Sequence, residues 1–184
     1  NLTFEEDFYQ VGNGKIAGNL RIIQLSDLHA SSFGTDNSTL IERITLLKPD
    51  IIVTTGDMVD KHDSVQSVVA LYEKLTEIAP VYAAYGNNED DIVYGLRMTR
   101  DELDHLTDGD PANLIKSDDT LRASLEAVGV KVLLNEQATL TVGENTVDIY
   151  GVLTTNPSAF WEYCGESYDS FLNEDTGNFK VLLC

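Results

Sequence analysis

The chain has 184 residues, 42% of them hydrophobic, which is enough for one domain with a hydrophobic core. Its 12 Lys and Arg residues against 31 Asp and Glu residues give a net charge of −19, and such a surface repels phosphate backbones, so direct nucleic-acid binding is excluded on electrostatic grounds. The two cysteines do not make a disulfide framework, and no apolar run approaches the roughly 18 residues of a membrane span.

The N-terminal segment is polar and glycine-containing up to residue 19. Within it, residues 8–11 are predicted to form an edge strand, followed by a turn. Residues 20–26 are rich in β-branched and other apolar side chains and predict the first buried strand. Small and polar residues over 30–36 predict a loop.

The next stretch alternates helices and strands. A helix capped by Asn37 or Ser38 is predicted up to Pro49, since apolar residues recur there at helical spacing. Residues 50–55 form a continuous apolar run typical of a strand buried on both faces. A second helix begins at Ser64 and ends before Pro80, and a third strand covers residues 81–85. This β-α-β-α-β order favours parallel strands with right-handed crossovers.

The pattern loosens over residues 90–117, which we interpret as an insertion over the mouth of a site. A helix capped by Asp118 or Asp119 and ended by Gly129 follows, and then a strand over residues 130–134. Alternating residues around 143–145 predict a hairpin. Residues 154–178 are expected to form a long loop with one helical piece near 158–163, and residues 179–184 begin a new buried strand, a rhythm that suggests further chain beyond it.

Polar side chains follow each of the first three strands. Asp27 and His29 come after the first, and because alternate side chains of an extended chain share a face, they can reach one point. The second strand leads into Asp57 and Asp60, and the third into Asn87, Asn88 and Glu89. Ligands of parallel sheets collect at the carboxyl ends of the strands. Carboxylate, imidazole and amide groups together suit Mn, Fe or Zn better than Ca.

Three segments in order, Asp27-Leu28-His29, Gly56-Asp57-Met58-Val59-Asp60 and Gly86-Asn87-Asn88-Glu89, lie about thirty residues apart. They resemble the first three blocks of the calcineurin-like metallophosphoesterases, and the flanking sequence resembles the bacterial phosphohydrolase branch. The resemblance implies an α/β fold in which a two-sheet β-sandwich is flanked by helices. It also implies that residues 1–184 form a single domain of this type that lacks the C-terminal part of the family domain.

The resemblance also implies site residues and a reaction. Asp27 and His29 would hold one divalent ion, Asp57 would bridge two ions, and Asn87 would bind the second, while Asp60 would orient its neighbours. The two ions would be Mn, Fe or Zn, and a metal-bound hydroxide would hydrolyse a phosphate monoester or diester substrate.

Two departures from the family pattern affect these expectations. Asn88 stands where the family usually has a His that serves the leaving group, and loss of a general acid costs roughly 10²–10⁴ in rate. Glu89, which would orient that imidazole, then loses its purpose. The further His ligands of the family have no counterpart, since His62 and His105 lie in no matching context, so weak or single-ion occupancy is expected.

Alternative functions follow from the same residues. One is a catalytically impaired relative that serves as a binding or scaffold module, as the amide of Asn88 suggests. Another is an acidic α/β receiver or phosphatase with Asp27 as nucleophile, against which His29 argues. Because the chain begins with Asn1 and the bacterial branch is often membrane-attached or exported, a removed N-terminal anchor is one expectation and a cytoplasmic location another. The sequence leaves the oligomeric state open.

Overall fold

The structure, a computed structural model, describes residues 3–12, 14–60, 64–94, 120–153 and 168–184. Strands and helices alternate through the first half, and strands dominate the second. In chain order the elements are β1 (Ile22–Leu25), α1 (Ser38–Leu47), β2 (Ile51–Thr55), α2 (Val65–Thr76), β3 (Val81–Ala84), α3 (Asn87–Tyr94), α4 (Thr120–Ala127), β4 (Lys131–Val132), β5 (Glu136–Val142), β6 (Asn145–Gly151) and β7 (Phe179–Leu183).

The first sheet is parallel, with strand order β1-β2-β3-β4. Its central strands β2 and β3 are buried on both faces, which explains their continuous apolar sequence. The predicted β-α-β-α-β order is therefore confirmed. Strand β1 differs from its prediction, since it is shorter and only half-buried. It lies at the edge of the sheet, where one side has no neighbouring strand to cover it.

The second sheet has strand order β5-β6-β7. Strands β5 and β6 form the predicted antiparallel hairpin, and β7 runs parallel to β6. Side chains of the two sheets share one hydrophobic core, in which Ile51 and Tyr82 from the first sheet pack with Val147, Ile149 and Leu183 from the second. The two sheets therefore form a sandwich.

Helices cover both outer faces of this sandwich. On the first sheet, Ile44 of α1, Leu75 of α2 and Leu125 of α4 belong to one core with Ile52 and Val81. On the second sheet, helical residues 168–173 place Phe171 against Tyr150, with ring centroids 5.2 Å apart. The predicted fold class, an α/β two-sheet sandwich flanked by helices, is confirmed. No helix among the described ranges is long and apolar enough to cross a membrane.

Some predicted elements were wrong. Residues 8–11 pair with no strand, and Phe8 and Tyr9 are 72% and 88% exposed, because a short strand-like segment forms a strand only where a sheet edge is free to pair with it. Residues 168–173 are helical rather than loop. Helix α3 takes up residues 90–94 of the segment predicted as an insertion; residues 95–117 of that segment, and the helical piece near 158–163, lie outside the described residues.

Candidate metal centre

The candidate site lies where β1, β2 and β3 end. Backbone pairing continues past the strands: the N–H groups of Asp27 and His29 donate to the carbonyls of Gly56 and Asp57 at 3.1 and 2.9 Å. The Ala30 N–H donates to Met58 in the same way at 2.7 Å. These bonds fix the loop after β1 against the loop after β2, so the side chains of both loops are presented together.

Asp27, His29 and Asp57 come close enough to share an ion. One ligand atom from each lies within 4.8 Å of the others, and His29 Nε2 is 4.0 Å from Asp27 Oδ1. The side chains of Asp27 and His29 are 67% and 46% exposed, so the cluster is open to solvent. Within the described part of the chain, no Lys or Arg forms an ion pair with the carboxylate of Asp27 or of Asp57. An acidic cluster without a protein cation suits a bound metal cation.

The backbone of these residues is left-handed. Asp27, His29 and Asp57 have φ angles of 56°, 45° and 52°, a region that costs non-glycine residues roughly 1–2 kcal/mol each. Such strain clusters at functional sites. It also corrects the sequence argument: Asp27 and His29 do converge, but β1 ends at Leu25, so left-handed turns rather than strand alternation bring them together.

The third loop brings Asn87 and Asn88 to the same place, at the first residues of α3. The Asn88 backbone N–H donates to Asp57 Oδ1 at 3.0 Å, and its Nδ2 lies 3.0 Å from both His29 Nδ1 and the Val59 carbonyl oxygen. The two ends of the Asn87 amide lie 2.9 Å from Asn88 Oδ1 and 3.2 Å from Asp57 Oδ2; with Nδ2 toward Asp57, the amide donates to that carboxylate and accepts from the Asn88 backbone N–H at 3.2 Å.

Glu89 has a role that the sequence did not suggest. Its side chain is buried, and its carboxylate accepts four backbone N–H bonds at 2.8–3.1 Å. Two come to Oε2, from Asp57 and Gly86, and two to Oε1, from Met58 and Val59. The expectation that Glu89 loses its purpose without an imidazole partner was wrong, because this carboxylate joins the loop after β2 to the start of α3.

Two glycines allow these loops to meet. A Cβ on Gly56, whose φ is 95°, would lie 2.2 Å from the Gly86 nitrogen, and a Cβ on Gly86 would lie 2.4 Å from Asp57 Oδ1. Any side chain at either position would separate the loops that carry Asp57 and Asn87. The Gly-Asp and Gly-Asn pairs of the sequence therefore have a steric cause.

Asp60 stands apart from the other predicted residues. It is exposed, and its backbone N–H donates to Ser64 Oγ at 3.1 Å. Within the described ranges its side chain forms no hydrogen bond to the cluster, so its orienting role stays a prediction. His62 and His105 lie outside the described residues. Sequence reasoning missed Ser26, whose hydroxyl donates to Asp27 Oδ2, and the Val59 carbonyl, since neither is visible without the fold.

Comparisons with known proteins point to one family. The family model described as calcineurin-like phosphoesterase matches residues 20–178. A Bacillus subtilis (strain 168) protein named uncharacterized metallophosphoesterase YkuE is 39% identical over 74 residues, which cover 38% of this chain and 26% of that protein, about a quarter of its length. The crystal structure of a phosphopantetheinyl hydrolase from Mycobacterium tuberculosis superposes with a TM-score of 0.51 at 14% identity, over 89% of this chain and 67% of that one. The last likeness concerns the fold.

Proposed function

This chain belongs to the calcineurin-like phosphoesterase family, which supports metal-dependent hydrolysis of phosphate esters in general, and we propose that it hydrolyses phosphomonoesters or phosphodiesters with two divalent ions. The observation that carries the proposal is the convergence of Asp27, His29 and Asp57 within 4.8 Å on strained backbone. Exposed acids with only a structural role would gain nothing from a strained backbone.

The donor set fits divalent ions. Asp27 and His29 would hold one ion, the two oxygens of Asp57 would reach both ions, and the amide oxygen of Asn87 would reach the second. Carboxylate, imidazole and amide ligands suit Mn, Fe or Zn. When bound, such ions polarise a phosphoryl oxygen and lower the pKa of a coordinated water to roughly 7.

The chain's own side chains bear on which esters are hydrolysed. Asn88 occupies the edge of the cluster and offers only amide hydrogens, which do not titrate. A leaving oxygen that needs a proton would therefore lose the roughly 10²–10⁴-fold contribution of a general acid. Aryl esters leave as stable phenolates and need that proton least. We expect aryl phosphates to be hydrolysed better than alkyl phosphates.

The test is hydrolysis of an aryl phosphate ester by chelator-treated protein to which Mn²⁺ is returned. We expect activity to depend on Mn²⁺ and to fall on the order of 10³-fold in Asp57→Asn, since several kcal/mol of transition-state stabilisation go with the shared ligand. Glu144→Gln, in the exposed turn between β5 and β6, is the matched control and should leave activity unchanged.

Two results would contradict this function. Hydrolysis that survives both chelation and Asp57→Asn would place the reaction elsewhere. Mn²⁺ binding without hydrolysis of any ester, aryl or alkyl, would favour the binding or scaffold module, which the missing general acid at Asn88 also favours.

A further inference from the structure

We propose that Asn88 is a positioning residue whose amide sets the tautomer of His29 and so weakens the binding of an ion at His29. The inference rests on the proposed function, since it concerns the same ligands. It adds a specific role for the residue that departs from the family pattern.

The first step is the orientation of the Asn88 amide. Its Nδ2 lies 3.0 Å from the Val59 carbonyl oxygen, which can only accept a hydrogen bond. Val59 is 1% exposed, so no bulk water competes for that carbonyl. The reversed amide would place two acceptors 3.0 Å apart and leave the carbonyl without a donor, which costs about 1–3 kcal/mol. Val59 therefore fixes Nδ2 as the atom that faces His29.

The second step is the tautomer of His29. The other hydrogen of Nδ2 points to His29 Nδ1, 3.0 Å away. A neutral imidazole that accepts at Nδ1 carries its proton on Nε2, the nitrogen that lies 4.0 Å from Asp27 Oδ1. A metal-binding histidine usually donates its second N–H to an acceptor, which frees the other nitrogen for the ion. Asn88 offers a donor instead, so it opposes ligation through Nε2.

The neighbouring Asn87 amide is set by other contacts. With Nδ2 turned toward Asp57, it donates to Asp57 Oδ2 and its oxygen accepts from the Asn88 backbone N–H, both at 3.2 Å. The opposite orientation keeps one bond, to Asn88 Oδ1 at 2.9 Å, and sets two acceptors together at Asp57. The effect of the Asn88 side chain on the centre therefore acts through His29.

The effect falls on the half of the centre that includes His29. This residue must exchange its tautomer before its Nε2 can bind an ion. We expect the ion at His29 to be the weaker one in the wild-type chain, with Asn88 responsible for part of that weakness.

The experiment reads the ¹⁵N chemical shifts of the His29 ring in metal-free protein, at a pH where imidazole is neutral, and then measures Mn²⁺ binding by calorimetry. The chain has three histidines, and loss of signals in His29→Gln assigns the ring. We expect protonated Nε2 and unprotonated Nδ1 in the wild type. In Asn88→Asp the carboxylate accepts from Nδ1–H, the tautomer reverses, and the weaker Mn²⁺ binds about 10-fold tighter or more.

A second variant controls for misfolding and for the charge that Asn88→Asp adds. Asn88→Ala removes the amide without adding charge, and we expect its His29 ring to populate both tautomers. Nδ1–H in the wild-type ring, or tighter Mn²⁺ in Asn88→Asp with an unchanged tautomer, would overturn the inference. If none of the proteins binds Mn²⁺, the proposed function fails, and the ring shifts still decide whether Asn88 sets the tautomer.

Discussion

Two groups of carboxylates in this molecule are built in opposite ways. Glu89 and Asp148 are 3% and 1% exposed, and the protein itself supplies their hydrogen-bond donors. Glu89 accepts from four backbone N–H groups, and Asp148 accepts from two Thr hydroxyls and the amide of Asn178. Asp27 and Asp57 instead share an open cluster, where their donors include the Ser26 hydroxyl and the Asn88 backbone N–H.

The difference separates acids that hold the fold from acids that we propose bind metal ions. A buried carboxylate is tolerated only when its oxygens are hydrogen-bonded, so Glu89 and Asp148 satisfy a requirement of the interior. Asp27 and Asp57 have no such requirement, and their like charges within one cluster oppose folding. A bound cation would offset this repulsion. Substitutions in the two groups should therefore affect different measurements.

The largest effect on stability is expected at Glu89. In Glu89→Gln one oxygen becomes an NH₂ group that meets two backbone N–H groups, either those of Asp57 and Gly86 or those of Met58 and Val59. We expect the free energy of unfolding to fall by about 3 kcal/mol, since each buried unsatisfied donor costs about 1–3 kcal/mol. Urea denaturation measures the change, with exposed Glu144→Gln as control. Equal stability of the two variants would show that the Glu89 bonds contribute little.

The sequence predicted the strands and helices around the candidate metal centre well, and the contacts between its loops poorly. Strands β2 and β3 and helices α1 and α2 follow from local periodicity, which is visible in one window of sequence. Asp27, His29 and Asp57 lie together in the structure, because the carboxyl ends of parallel strands share one edge. Both predictions depend on the local sequence pattern or on the strand topology that this pattern implies.

What the sequence could not reveal depends on contacts between distant residues. Glu89 reads as an acid in a polar segment, and only the fold shows that Asp57, 32 positions earlier, donates to it. Helix α3 was missed because its first residues, Asn87 and Asn88, read as loop donors. Residues 8–11 were predicted to form a strand, but they pair with no sheet edge. In each case a tertiary contact, or its absence, decided the outcome.

A smaller and pH-dependent effect is expected at Asp148. Burial raises the pKa of this carboxyl, but hydrogen bonds from Thr176, Thr139 and Asn178 and the charge of Lys180 outweigh it, and they hold the pKa below its ordinary value. A lowered folded-state pKa adds stability above the unfolded pKa of about 3.9, and this stability is lost as the pH falls through the folded pKa.

Asp148→Asn should therefore lower the free energy of unfolding by about 2 kcal/mol near neutral pH, the cost of losing hydrogen bonds to a charged acceptor. The difference from wild type should shrink as the pH falls below the unfolded pKa of about 3.9, since the wild-type carboxyl then becomes protonated. Denaturation at a series of pH values measures it. A difference that stays constant over this range would mean that the ionised form of Asp148 is not what stabilises the sheet.

The smallest effect on stability is expected at Asp27, and it is the sharpest test of the contrast. Asp27→Asn keeps the size of a side chain that is 67% exposed, and removes one of two like charges in the cluster. We expect the stability of metal-free protein to stay within about 0.5 kcal/mol of wild type, or to rise slightly at low salt. Added Mn²⁺ should raise the melting temperature of wild type more than that of the variant, because the stabilisation by a bound ligand grows with the logarithm of its affinity. If Asp27→Asn instead costs as much metal-free stability as Glu89→Gln, the open acids also hold the fold, and the division between the two groups fails.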